Sequence, residues 1–350
     1  MKPQLICHGR VLTVFVRYLF CLVLILTSSL CFAESAPREF RVGFFQHGSY
    51  WTSDLVFSAL KQELKKEGWD KRVIFVNDAH FSPGWDVSEG ELEARSEELM
   101  VRNDLDLIVV MGTKATRALL VKNNRRTPIL ALDITDPVKS GLVASVNDSG
   151  IDNFTTIIQN NLWTDMFHLF HQTVNFNRLG IVMTNNLDGK IFSHLDATKK
   201  VARDRGFDLV IYNELEEGAG REECQHAVDV LIDKGIDAFV LPISSGFDLN
   251  NVAGILEHLH AAKVATFASE GTPLVKAGAL IGVSNQNIED VGSMSAQMMI
   301  KILQGATPRD LPMLLWSPPS ISLNLETAEK LGVIFSFSML SVADEIIINL

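Results

Sequence analysis

Gly112-Thr113 follows the apolar run Leu105–Met111, and Ser244-Ser245 comes three residues after Ala238–Leu241. If each step opens a helix, its free backbone N–H groups and an added hydroxyl make a site for a carboxylate. The same residue types are also ordinary N-caps. Four more loops of similar chemistry follow apolar runs. They are Gln46-His47-Gly48-Ser49-Tyr50-Trp51, Asp133-Ile134-Thr135-Asp136-Pro137, Thr184-Asn185-Asn186 and Ser269-Glu270-Gly271. Most carry a hydroxyl, an amide or a glycine, and Asp136 and Glu270 offer a negative charge to an amine. Tyr50 and Trp51 can wall an apolar or aromatic ligand, although Trp51 equally suits core packing at a helix start.

Catalytic motifs are scarce. The chain has no GxSxG, P-loop, CxxC, HExxH or GxGxxG. His168 and His171 stand at i, i+3 spacing, but nothing nearby supplies a third ligand, so they read as a surface helix pair. His258 and His260, two apart on a helix, face different directions. Cys224 lies in a charged stretch with no base partner. The expectation is therefore a binding protein rather than an enzyme, with no metal and no cofactor.

The elements that must position these loops follow from the apolar pattern. Strands are expected at Phe40–Phe45, Arg72–Val76, Leu105–Met111, Pro128–Leu132, Arg178–Thr184, Phe207–Tyr212, Ala238–Leu241, Val264–Ala268 and Ala279–Val283. They are apolar without alternation, as strands covered on both faces are. Amphipathic helices lie between them. Leu55, Val56, Ala59, Leu60 and Leu64 share one face of Asp54–Lys66, and Ser88-x-x-Glu91 resembles a capping box. This alternation implies parallel sheets flanked by helices. So many strands suit two sheets better than one. The pattern pauses at Asn147–Asn153 and restarts. The expected architecture is two doubly wound parallel-sheet lobes. Residues 34–152, with a return over about 286–320, form the first. Residues 153–285 form the second, with 321–350 crossing back near a multi-strand hinge. In such folds ligands bind beyond the carboxyl ends of the strands.

The N-terminus has the order of a secretory signal. Lys2, Arg10 and Arg17 precede the apolar run Leu19–Leu26, and Cys31-Phe32-Ala33 ends a small-residue stretch. The run is shorter than the roughly 20 residues of a membrane-spanning helix. Leu30 and Phe20 precede Cys31 and Cys21, which argues against a lipid anchor. Cleavage after Ala33 removes three of the four cysteines, so the mature chain holds no intrachain disulfide. It also removes three positive charges and shifts the formal net charge from −11 to −14. Such an acidic chain is a poor nucleic-acid binder, because phosphate neutralisation needs clustered Lys and Arg. The expected location is the periplasm.

Several stretches together resemble one family. Pro128–Val143, with Thr135-Asp136-Pro137-Val138 and Gly141-Leu142-Val143 inside it, is similar to a segment of a class of ABC-transporter substrate-binding proteins. That class includes tryptophan- and tyrosine-binding members. Gly278–Val283, Lys301–Gly305, Leu323–Gly332 and Ala343-Asp344-Glu345 fit the same class in order and spacing, from about Phe40 to Glu345. Two places depart from it: the bulky aromatic loop Gln46–Trp51, and Thr156 where a glycine is usual.

The resemblance implies a type I periplasmic-binding-protein-like fold. It implies capture of an amino acid or related small organic acid by hinge closure, and delivery to an ABC permease in the inner membrane. The chain would act as a monomer. The alternative is a ligand sensor that signals to a separate membrane receptor or kinase. First-lobe contacts would be Thr113, Thr116, Thr135 and Asp136, with Gln46, Tyr50, Trp51 and Gly112 beside them. Thr184, Asn185, Ser244, Ser245 and Glu270 would come from the second lobe.

Overall fold

The computed structural model describes residues 38–84, 87–284 and 287–348. The signal-like segment 1–33 lies outside them, with Cys7, Cys21 and Cys31.

Five parallel strands make the first sheet. They are β1 (Phe40–Gln46), β2 (Val73–Phe81), β3 (Leu107–Met111), β4 (Ile129–Leu132) and β5 (Phe154–Thr156), in the order β2-β1-β3-β4-β5. Side chains alternate across a strand, and the core divides accordingly. Val42, Phe44, Leu107, Val109 and Met111 pack with Val56, Leu60 and Leu64 of helix Trp51–Lys66 and with Met298 and Ile302 of helix Ile288–Leu303. Phe45, Ile108, Val110 and Ala131 pack on the other side with Leu92 and Leu99 of helix Glu89–Val101 and Leu119 of helix Thr113–Val121. Both faces are covered, so β3 and β4 are buried throughout.

β6 (Ile158–Gln159) follows as the chain leaves this sheet. The second sheet then collects β7 (Arg178–Val182), β8 (Asp208–Tyr212), β9 (Ala238–Leu241), β10 (Ala265–Ala268) and β11 (Ile281–Ser284). After β11, helix Ile288–Leu303 returns to pack in the first lobe's core. β12 (Leu314–Leu315) pairs with β6, and β13 (Ser320–Asn324) and β14 (Glu345–Ile347) rejoin the second sheet. Its order is β14-β13-β11-β10-β9-β7-β8. Only the β11–β13 pairing in it is antiparallel. The chain therefore passes between the lobes three times.

The structure moves some expected boundaries. β2 runs on to Phe81 rather than stopping at Val76, because its second half is a partly exposed edge carrying Asn77, Asp78 and His80. A division at 152/153 would place Phe154–Thr156 in the second lobe. Their pairing with β4 puts them in the first sheet. The polar stretch Asn147–Asn153 is a loop of that lobe, tied by Arg309 to Asp148 at 2.7 Å and to Asp152 at 2.9 Å. Ser88 caps its helix as its pattern implies, accepting from the Glu91 N–H at 3.2 Å.

Candidate functional site

A cavity of about 820 Å³ lies between the lobes. Its walls are largely the loops at the carboxyl ends of β1, β3, β4, β7, β9 and β10, because parallel strands all aim those ends the same way. Gly112 turns the chain from β3 into helix Thr113–Val121 with φ 84° and ψ 158°, a region essentially closed to other residues. After β4, Asp133 and Asp136 both hold left-handed backbone, at φ 55° and 46°. That conformation is uncommon outside glycine, and Asp tolerates it better than most residues.

Of the residues picked from the sequence, Tyr50, Gly112, Thr113, Thr135, Asp136, Thr184, Ser244, Ser245 and Glu270 line the cavity. Thr113 Oγ1 accepts from the Thr135 N–H at 3.3 Å and joins the β3 and β4 loops. Ser244 stands at the N-terminal end of the short 3₁₀ turn Ser245–Phe247 and makes no side-chain cap bond. Four residues stand outside the lining. Gln46 is still within β1, is buried, and donates its amide to Ser82 Oγ. Trp51 opens its helix and tilts against Tyr50, with ring centroids 6.3 Å apart. Thr116 lies one turn into its helix, fully buried, and its hydroxyl donates back to the Gly112 carbonyl at 2.8 Å. Asn185 is exposed on the turn between β7 and helix Leu187–Phe192.

Side chains of the two lobes meet across the cavity. The Tyr50 hydroxyl donates to Glu270 Oε2 at 2.7 Å. Arg117 makes a two-pronged pair with Asp188, at 2.7 and 2.8 Å. Lys114 reaches Glu217 at 2.8 Å, and Lys139 reaches Asp196 at 3.2 Å. Behind Tyr50, Asp133 Oδ2 accepts the hydroxyls of Thr52 and Ser53 at 2.8 and 2.6 Å.

This placement sets the electrostatics. Glu270 is half-buried in the cavity wall, and desolvation there, aided by the charges of Asp133 and Asp248, pushes its carboxyl up to about 8. The Tyr50 hydrogen bond pulls the other way and loses. Tyr50 itself is raised well above the usual phenol range, by burial first and then by the charge of Glu270. His47, on the first-lobe wall, is held below the ordinary imidazole value by burial and then by Lys114.

Residues 56–347 match the family described as ABC transporter substrate binding protein. The chain belongs to this family. A curated relative, the tyrosine-binding protein of Clostridioides difficile (strain R20291), is 23% identical over 240 residues, or 67% of this chain. The chain spans about 65% of that relative's length. Two solved structures superpose over most of it. One is an ABC domain from Streptococcus pneumonia in complex with L-Trp, with TM-score 0.73 and 23% identity, covering 87% of this chain and all of that one. The other is a conserved domain protein from Vibrio cholerae, with TM-score 0.76 and 20% identity, covering 89% of this chain and all of that one. At these identities the superpositions establish the fold, which is the type I substrate-binding arrangement of two parallel-sheet lobes. Substrate-binding proteins of this family are solute binders, not enzymes.

Cleft residues beyond those singled out from the sequence also line the cavity. Asp133 lies in a loop the sequence marked, yet only its hydrogen-bond geometry shows its place in the wall. Trp163 also lines the cavity, from the start of helix Trp163–Val174 just after a passage between lobes, where no strand-end rule looks. Its ring stacks on the buried imidazole of His194 at 3.8 Å. Burial, with Lys139 adding to it, drives that imidazole down to about 3, so it is neutral at neutral pH.

The groups outside the cleft have structural partners. His171 stacks on Phe207, and His168 accepts from Arg205 at 3.0 Å. His258 sits 3.1 Å from Asp229. Cys224 is buried in the second core and its thiol is pushed up to about 12. Among the described residues no group of three His, Cys, Asp or Glu could hold a metal ion, and no helix is long and apolar enough to cross a membrane.

Proposed function

We propose that this chain is the solute-binding component of an ABC importer. After loss of residues 1–33 it works as a monomer in the periplasm. It captures an amino acid or related small organic acid between its lobes and presents it to a permease in the inner membrane. The observation that carries this reading is the Tyr50–Glu270 hydrogen bond across a cavity built from the strand-end loops of both lobes. A ligand in that cavity touches both walls at once, so its binding favours the closed arrangement of the lobes. The hydroxyls of Thr113, Ser244 and Ser245, with the helix-start N–H groups after Gly112, suit a carboxylate. Asp136 or Glu270 suits an ammonium group. The tyrosine-binding relative and the L-Trp complex support an amino acid as the cargo class.

A thermal-shift screen of amino acids, small carboxylates and sugars tests this. A ligand at 100 times its dissociation constant adds roughly 2.7 kcal/mol of stability. L-tryptophan or L-tyrosine is expected to raise the melting temperature. A shift produced by sugars alone would move the cargo to another class.

A further inference from the structure

We infer that the lobes close on a charge-polarised clasp, with cations on the first-lobe rim and acids on the second, and that ionic strength thereby regulates how tightly the cleft holds its ligand. The inference rests on the two-lobe capture reading above and leaves the cargo class open.

Among the described residues three ion pairs join the lobes, and all run the same way. Lys114 and Arg117 stand three apart on helix Thr113–Val121 and so share one face of it. Lys114 reaches Glu217 at 2.8 Å, in the loop between β8 and helix Arg221–Asp233. Arg117 holds both oxygens of Asp188, on helix Leu187–Phe192, at 2.7 and 2.8 Å. Lys139, in the loop after β4, reaches Asp196 on helix Leu195–Arg205 at 3.2 Å. Every cation belongs to the first lobe and every acid to the second. Asn186 donates to the other oxygen of Glu217 at 2.7 Å, so the second lobe itself steers that acid toward Lys114. Pairs such as Arg309 with Asp148 and Lys276 with Glu345 stay within one lobe.

The common direction has a physical consequence. When the lobes part, each rim carries charge of one sign, and the rims attract beyond contact distance. Rims of mixed sign would cancel over that range. The attraction reaches about one Debye length, roughly 10 Å at 0.1 M salt and about 3 Å at 1 M. Only Asp188, 19% exposed, is well sheltered, so the other five charges stay open to counter-ions. Contacts made by a ligand enclosed between the lobes are screened much less. Salt therefore acts on the clasp first. Lys139 contributes least, because Asp136 of its own lobe lies 3.9 Å away and stays with it when the lobes part.

A salt series on the full chain reads the clasp without any ligand. Small-angle scattering, extrapolated to zero protein concentration, should show the radius of gyration rising between about 20 mM and about 500 mM NaCl. Asp188→Asn, Asp196→Asn and Glu217→Gln together neutralise the second-lobe rim and should give the larger radius at both salt concentrations. Lys114→Glu sets two acids against one another, and adding Glu217→Lys restores the pair in the opposite direction. A glutamate in the first turn of a helix is favourable, so the single variant should fold, which circular dichroism checks. It should be more open than the wild type at low salt, and the double variant should recover most of the wild-type radius. A merely structural role for Lys114 gives no such recovery.

Calorimetry with L-tryptophan over the same range supplies the ligand arm. Affinity should fall about three- to tenfold in the wild type and less than about twofold in the triple variant. An equal fall in both would mean that salt acts on the ligand's own contacts, and would overturn the regulation. If L-tryptophan does not bind while the radius still rises with salt, the cargo proposal fails and the clasp stands. A wild-type radius that ignores salt, or no recovery in the double variant, would overturn the clasp.

Discussion

The hydroxyls of Thr113 and Ser244 belong to different lobes and line one cavity. If a ligand carboxylate binds between them as proposed, removing either hydroxyl costs it a charge-assisted hydrogen bond, worth on the order of 1.5–3 kcal/mol, or about 10- to 150-fold in affinity. Thr113→Ala also leaves the Thr135 N–H without its acceptor, so it should be the more damaging of the two. Calorimetry with L-tryptophan decides the matter, and unchanged affinity in both variants would move the carboxylate elsewhere. These residues were legible because each stands just past an apolar run that becomes a buried strand. Gln46 misled because β1 continues one residue beyond the apolar run and includes it. Thr116 misled because a helix returns its hydroxyl to the carbonyl four residues back. Trp163 and His194 were out of reach. Their stacking joins residues 31 apart, one opening helix Trp163–Val174 and the other just before helix Leu195–Arg205, and no local pattern announces it.

At the scale of elements, helix Thr113–Val121 is aimed at the cleft by one backbone turn. Gly112 holds that turn at φ 84°, and an added Cβ would meet nothing within 4 Å. Gly112→Ala should therefore destabilise through backbone strain alone, by about 1–3 kcal/mol, with no steric clash to relieve. Urea unfolding would show it, and a change below about 0.5 kcal/mol would mean that the turn tolerates a side chain. Core strands such as β3 were visible as apolar runs because helices cover both their faces. Edges were not. The second half of β2 carries Asn77, Asp78 and His80, and its pairing with β1 is interrupted by a register shift between Val42 and Phe44. β5 has three residues and β6 and β12 two each, too few for any periodicity. The pause at Asn147–Asn153 resembled a domain boundary because its partner, Arg309, lies more than 150 residues away.

For the whole molecule, the question is which cross-lobe contacts set the balance between open and closed lobes. The two-lobe architecture followed from strand count and the polar pause, but side-chain bridges between the lobes depend on their relative placement, which no sequence pattern encodes. Lys139–Asp196 and Lys114–Glu217 each have a largely exposed partner, and such pairs contribute about 0–1 kcal/mol. Arg117–Asp188 is different. It is bidentate, and its aspartate side chain is only 19% exposed. Planar Arg–carboxylate pairs of this kind are shorter and stronger than single-point ones. Asp188 also lies in the first turn of its helix, where its charge is favourable without any partner, so removing the arginine is the cleaner change.

If the pair exists only when the lobes are closed, Arg117→Ala lowers the closed fraction, and apparent affinity falls with that fraction. A contribution of about 1.5 kcal/mol corresponds to roughly tenfold. We therefore expect Arg117→Ala to bind L-tryptophan about tenfold more weakly, mainly through faster release. Lys139→Ala should stay within about twofold of the wild type. Small-angle scattering of the ligand-free variant should show a larger radius of gyration that ligand restores. Wild-type affinity and dimensions in Arg117→Ala would show that this pair does not help to hold the lobes together.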